Sequence, residues 1–438
     1  MKEIQVIGAG LAGCESAYQL AKKGFKVKLF EMKSFKKTPA QKIDSFAELV
    51  CSNSLKSKEI TNACGLLKEE LRCLDSLLIR CALSCEVPAG QALSVNREEF
   101  SNLVTQEIQK IENIEIIQDE VVQIDISKPT IIATGPLTSE GLCENLKELF
   151  GDEFLNFYDA CSPIIYFDSI NMDNAYFADR YGKGNGDYLN CGMNKEEYEK
   201  FYLELLNAKT ATLKDFEVNV FEGCMPIEIM AKRGKDALRF GPLKPIGLNN
   251  PKTNEKYYAV VQLRKEDLEG NAFNMVGFQT NLIPAEQKRV FSLIKGLENA
   301  EYARYGAMHK NIFINAPKIL NKYSQCREFK NVFIAGQLSG VEGYVESIAS
   351  GLLCGINMAK YLMDEEMIDF TNQTIIGALI NYISSSASSE NFQPMNSNFA
   401  ILNSSQIVEK DKKKKRERIA ENSIKIIKDI KEKFNVWN

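Results

Sequence analysis

This chain has almost no histidine: His309 is the only one in 438 residues. Proton transfer near neutral pH therefore falls to other groups, such as thiols, carboxylates or a bound cofactor. The twelve cysteines include no C-x-x-C pair, even where Cys64, Cys73, Cys81 and Cys85 crowd together. With that spacing and so little imidazole, no metal site is expected. No apolar run approaches the roughly eighteen residues that a membrane helix needs, so no membrane partner is expected either.

What remains is an ordinary globular composition, 45% hydrophobic and 26% charged. The length suits two or three domains. A net charge of −4 argues against an indiscriminate nucleic-acid binder. The charge is uneven, however. Residues 410–433 hold eleven Lys/Arg against five Asp/Glu, or +6, which leaves −10 for the rest. An acidic body with a basic C-terminal segment is compatible with a polyanionic partner.

The strongest signal lies in the first thirty-one residues. Glu3 to Ile7 reads as a short apolar strand, followed at once by Gly8-Ala9-Gly10-Leu11-Ala12-Gly13, a G-x-G-x-x-G turn. Leu11 to Lys23 has helical character, Gly24 stops it, and Lys26 to Phe30 forms a second strand ending at Glu31 and Met32. Gly8 permits the tight turn, Gly10 admits a pyrophosphate to the backbone amides, and Gly13 lets helix pack on strand. The helix N-terminus offers N–H groups and a positive dipole end to the phosphates. Glu31 is placed to accept hydrogen bonds from the adenosine ribose. An adenine dinucleotide site is expected. Because the motif opens at residue 3, no secretory signal is expected, and a cytoplasmic location with reduced, mostly buried cysteines follows.

Further along, Asp44 to Val50 reads as a short helix before the small polar loop Cys51-Ser52-Asn53-Ser54. Residues 64–85 read as one amphipathic helix, Asn96-Arg97 opens another to about Ile111, and residues 114–118 and 120–126 read as strands. The segment Pro129 to Gly135 is a β-branched strand ending in Ala133-Thr134-Gly135. That ending is similar to one in two-dinucleotide-domain flavoproteins, where the chain returns beneath the flavin.

Residues 160–320 change character, rich in Tyr and Phe with short strands and a helix near 194–207. Two parts stand out: Cys224 in FEGCMPIE, and the run carrying Lys232, Arg233, Lys235, Arg239 and Lys244. Charge alone would make that run a solvated loop; its Gly-Pro breaks and its place after Cys224 favour phosphate contacts. A second buried strand, residues 331–337, ends at Gly336-Gln337, and Gly340 and Gly343-Tyr344 open a helix packed with small residues. The expected fold is α/β: a Rossmann-type FAD-binding domain from residues 1–160 and 321–438, with a smaller α+β domain inserted at 161–320. The chain closes on a basic amphipathic helix with Ile419, Ser423, Ile426, Ile427, Ile430 and Phe434 at helical spacing.

These stretches together resemble one family, the folate- and FAD-dependent tRNA (uracil-5-)-methyltransferases. The matching segments include GAGLAGCESA, CSNSL, ATGPLTSEGL, FEGCMPIEIMAKRG, LRFGPLKPIGL, GLENAEYARYGAMH and FIAGQLSGVEGYVESIASGL, within residues 8 to about 402. Ala307, Ile283 and the cysteine-rich segment 64–85 depart from the pattern. The resemblance implies that methylenetetrahydrofolate supplies a carbon, reduced FAD supplies electrons and carries the methylene, and NAD(P)H re-reduces the flavin. The target implied is a T-loop uridine of tRNA or, in a similar branch, a uridine of 23S rRNA. Both stay open here. So does a flavin-binding RNA chaperone without catalysis, whereas the larger relative that modifies the wobble uridine has a long C-terminal domain and lacks FEGCMPIE.

The chemistry needs thiols. Uracil C5 becomes nucleophilic only once something adds at C6, and a thiolate adds and leaves readily. Cys224 and Cys51 align with the family's catalytic cysteines. Cys224 is assigned the C6 addition and Cys51 either assistance in proton removal at C5 or stabilisation of the intermediate, with the exchange of those roles open.

Overall fold

The computed structural model describes residues 3–38, 40–151, 154–211, 225–385, 392–405 and 407–434. Strand β1 (Glu3–Ile7), helix α1 (Leu11–Lys22) and strand β2 (Lys26–Phe30) form the expected βαβ unit. β1 lies at the centre of a five-stranded, wholly parallel sheet. It pairs with β2 on one side and with Thr130–Ile132 on the other; Ile114–Ile117 and Val332–Ile334 form the edges. The strand order therefore reverses at β1, where its C-terminal end delivers Gly8, the position at which such sheets bind nucleotides.

Small residues let two helices close over this sheet. A Cβ at Gly351, in the helix Tyr344–Leu362, would overlap the backbone of Ala12 in α1. Ser16 Oγ bridges the same two helices by donating to the Gly351 carbonyl at 2.8 Å. Two buried glutamates fasten the helices beyond. Glu15 accepts from the amides of Leu77 and Leu78, and Glu70 from those of Ile375 and Ile376, so each carboxylate sits on a helix N-terminus. Glu70 also accepts from Ser423 Oγ in the C-terminal helix Lys412–Lys433. That helix docks by Ile419, Ala420, Ser423, Ile427 and Ile430, with Ile426 and Phe434 only partly covered.

The inserted region is a six-stranded antiparallel sheet with its own core, running from Ile165 to Ala300. An antiparallel pair, Phe154–Ala160 with Met308–Ile314, carries the chain out and back. Phe313, Ala316, Ile319 and Leu320 pack in the first core.

Three local expectations fail. Residues 64–85 are two helices, Ala63–Cys73 and Leu77–Ser84, broken where Asp75 turns left-handed (φ 54°) and Ser76 caps the second. Residues 44–50 are not helical, since the amides of Phe46 and Ala47 go to Thr105 Oγ1 and the Ala9 carbonyl. Residues 120–126 form no strand, and Ile124 N–H is taken by Asn145 Oδ1 at 2.8 Å. Among the described residues, no helix is long and apolar enough to cross a membrane, and no cluster of three or more His, Cys, Asp or Glu could hold a metal.

Candidate active site

The glycine turn is built by close approaches that forbid side chains. Gly8 has φ 98°, and a Cβ there would stand 2.7 Å from the Ala133 carbonyl, while one at Gly13 would overlap the Gly8 carbonyl. Gly10 differs: a Cβ there meets nothing within 4 Å, so the chain's own packing does not require glycine. The space opens into a cleft of about 1070 Å³ including its mouth. Eleven of the fourteen residues expected to bind a cofactor line it: Gly8, Gly10, Leu11, Ala12, Glu31, Met32, Thr134, Gly135, Gly336, Gln337 and Tyr344. Ala9, Gly13 and Gly343 are not part of its lining. Glu31 accepts from the amides of Ala9 and Lys33 at 2.9 and 3.0 Å, which fixes its carboxylate at the end of β2. Asp119, Glu120 and Val121 also form part of the wall, a role that nothing in their sequence marks. An open Gly10, a helix N-terminus and a fixed acid after the second strand fit an adenine dinucleotide.

Val50 also lines this cleft, and Cys51 follows it in the chain. Tyr344 joins the cleft to this segment. It lines the cleft, and its hydroxyl accepts from the amides of Cys51 and Ser52 at 2.7 and 3.0 Å. Burial pushes the Tyr344 phenol upward, so it stays protonated. Carbonyls are held too: Arg97 donates to Leu49, and Arg304 to Val50 and Cys51. Arg264 donates to the Asn53 side chain at 2.9 Å. Arg264 and Arg304 come from two strands of the six-stranded antiparallel sheet, so that sheet's side chains hold the loop.

Cys224 lies outside the described residues. The chain resumes at Met225, which is buried, and Ile227 N–H donates to the Gln279 carbonyl at 2.7 Å. Burial raises the Glu228 carboxyl, which accepts from Thr280 Oγ1 and the Asn281 amide. Burial also pushes up the thiols of Cys14, Cys64, Cys191 and Cys354, as expected of inert hydrophobes.

The basic run is less uniform than its sequence. Lys235 pairs with Glu199 at 2.6 Å. Arg239 pairs with Asp236 and lies 3.5 Å over the Tyr258 ring. Lys232 and Arg233 are exposed and Lys244 half-buried. Two aromatics stand with them that the sequence reading does not single out, Phe240 at 79% exposure, within LRFGPLKPIGL, and Tyr181 at 60%. Tyr181 adopts φ 61°, an uncommon conformation for a bulky residue, and its amide donates to the Gly247 carbonyl.

Known proteins share both this sequence and this fold. The family model described as glucose inhibited division protein A matches residues 3–366. The methylenetetrahydrofolate–tRNA-(uracil-5-)-methyltransferase TrmFO of Acetivibrio thermocellus is 54% identical over 433 residues, 99% of each chain. The Bacillus subtilis protein of the same name is 52% identical over 98% of each chain. Aquifex aeolicus GidA, in its form II crystal, shares the fold with a TM-score of 0.70 at 16% identity, over 99% of this chain and 75% of that one.

Proposed function

The chain belongs to the methylenetetrahydrofolate–tRNA-(uracil-5-)-methyltransferase family, within the wider glucose inhibited division protein A group, and from that premise we propose that it methylates a tRNA T-loop uridine at C5. Methylenetetrahydrofolate is the carbon donor and FAD the bound cofactor. The two electrons that take the one-carbon unit from methylene to methyl come from the flavin when it is bound, and NAD(P)H restores them. One observation carries the reading: Tyr344 lines the dinucleotide cleft and holds the Cys51 amide at 2.7 Å. A thiol-bearing loop thus stands one side chain from the cofactor site.

The residues then divide the work. Glu31 and the turn at Gly8 to Gly13 bind the adenosine diphosphate part. The Cys224 thiolate adds to uracil C6 and makes C5 nucleophilic. Cys51 takes the C5 proton once the carbon is in place, and loss of the Cys224 thiolate from C6 restores the aromatic ring. Lys232, Arg233, Lys235, Arg239 and Lys244, with the basic C-terminal helix, lie along the RNA backbone, and Phe240 and Tyr181 offer faces for unpaired bases.

The test is reconstitution with FAD, methylenetetrahydrofolate and NADH or NADPH on tRNA and on 23S rRNA. 5-Methyluridine in the tRNA T-loop alone is expected. Methylation of 23S rRNA alone would move the substrate while keeping the chemistry; methylation of neither would leave a flavin-binding RNA protein.

A further inference from the structure

The segment 49–53 is held to an unusual degree by side chains far apart in sequence. The carbonyl of Leu49 accepts from Arg97 Nη1 at 3.1 Å, that of Val50 from Arg304 Nη1 at 3.1 Å, and that of Cys51 from Arg304 Nη2 at 2.8 Å. The amides of Cys51 and Ser52 both donate to the Tyr344 hydroxyl. Five backbone groups within four residues are thus fixed by side chains rather than by a helix or a sheet ladder. Loops seldom receive this, because water usually satisfies them.

The charges around the segment are not equivalent. Arg97 is matched by Glu266, with Nε···Oε2 at 2.7 Å and Nη2···Oε1 at 3.0 Å. Arg264 is taken up by the Asn53 side-chain oxygen and reaches Ser52 Oγ at 3.5 Å. Arg304 has no carboxylate partner among the described residues. Its Nε is buried without an acceptor, so the guanidinium is held by the two carbonyls it bridges. Among the described residues, Arg97, Arg264, Glu266, Arg304 and Tyr344 face the loop, with Tyr188 against Arg264. Among the described residues neither Arg264 nor Arg304 has a carboxylate partner, and of the two Arg304 is the one that holds the Cys51 backbone.

We propose that Arg304 is a positioning residue for Cys51: it bridges the Val50 and Cys51 carbonyls to aim the thiol and, by its charge, favours the thiolate. Because Arg304 sits in Tyr302–Arg304 of the inserted sheet, the reactivity of Cys51 depends on that domain being docked on the nucleotide domain. The inference rests on Cys51 acting in the reaction, but its test does not.

The test is site-resolved alkylation of the reduced, FAD-loaded protein with iodoacetamide across pH. The tryptic peptide of residues 43–56 has Cys51 as its only cysteine, so mass spectrometry reads this thiol alone. Arg304→Ala should move the alkylation profile upward by about one pH unit, with roughly tenfold less reaction at pH 7. Arg304→Lys, which keeps a charge but cannot bridge two carbonyls, should move it less. Methylation by Arg304→Ala should fall in kcat with KM for RNA unchanged. A profile that stays at the wild-type position in a folded, FAD-loaded Arg304→Ala overturns the proposal; if that variant does not fold, an unshifted Arg304→Lys does the same. Full methylation by Cys51→Ala would remove Cys51 from the chemistry, yet leave the alkylation shift as evidence for the clamp.

Discussion

The glycine turn and the basic run both read from sequence as ligand-binding segments, and the structure treats them differently. At the turn, the expected residues converge on one cleft, because backbone geometry is dictated within a few residues: a left-handed Gly8, a close helix, a following acid. In the basic run, five cations look alike in sequence, yet Lys235 is paired with Glu199 and Arg239 with Asp236 and the Tyr258 ring. A charge's availability depends on partners that sequence spacing does not reveal. Backbone motifs are local and legible; surface electrostatics is not.

The turn offers the larger break. Gly10→Val places a side chain in the space kept open over the helix N-terminus, so FAD should be lost outright, read by absorbance and chromatography of the released chromophore. Replacing Gly24, which also has open surroundings but lies at the far end of α1, should cost only the strain of its φ of 81° and leave FAD bound. If both glycine variants keep FAD, the cleft is not the cofactor site.

Next come the aromatics. Phe240→Ala or Tyr181→Ala should weaken RNA binding by roughly tenfold, the scale of one base stack, without altering the salt slope. The cations should behave oppositely. Lys232→Ala with Lys244→Ala should lower the slope by about 0.7–0.9 for each phosphate no longer neutralised. Lys235→Ala with Arg239→Ala should change it less, since those charges already have partners. Equal slopes for the two pairs would mean that the ion pairs open on binding.

The smallest effect concerns Glu70, where three helices meet. Burial outweighs its hydrogen bonds and lifts its carboxyl from 4.5 to about 7. The folded state therefore holds a proton that the unfolded chain releases near 4.5. The resulting stability is present at low pH and is lost progressively as pH rises towards 7. Melting temperature should fall by a few degrees between about pH 5 and pH 7 in the wild type, and Glu70→Gln should flatten that trend. An equal pH trend in both proteins would place the titration elsewhere.

Legibility follows the same division inside the site. Cys51 is legible because it stands in a small polar loop within a recognisable stretch. Arg97, Arg264 and Arg304 are not. Arg304 stands within the recognisable stretch GLENAEYARYGAMH, yet nothing in that stretch ties it to Cys51, and only tertiary packing brings the three arginines to residues 49–53. The break in the 64–85 helix does carry a signal, Ser76 before Leu77-Leu78-Ile79, a capping serine ahead of an apolar run. The loop at 119–121 carries none, because Asp119-Glu120-Val121 falls between the strand Ile114–Ile117 and a run, 120–126, whose composition reads as a second strand.

The central claim, thiolate addition at uracil C6 beside a flavin cleft, is tested most directly with substrate RNA carrying 5-fluorouridine at the target. Fluorine cannot leave C5 as a proton does, so the adduct should persist. Digestion should place it on the peptide of residues 215–232, whose only cysteine is Cys224. The account predicts that adduct in the wild type and in Cys51→Ala, and none in Cys224→Ala. An adduct on residues 43–56 would exchange the two roles; no adduct from a protein that methylates normal RNA would contradict the mechanism.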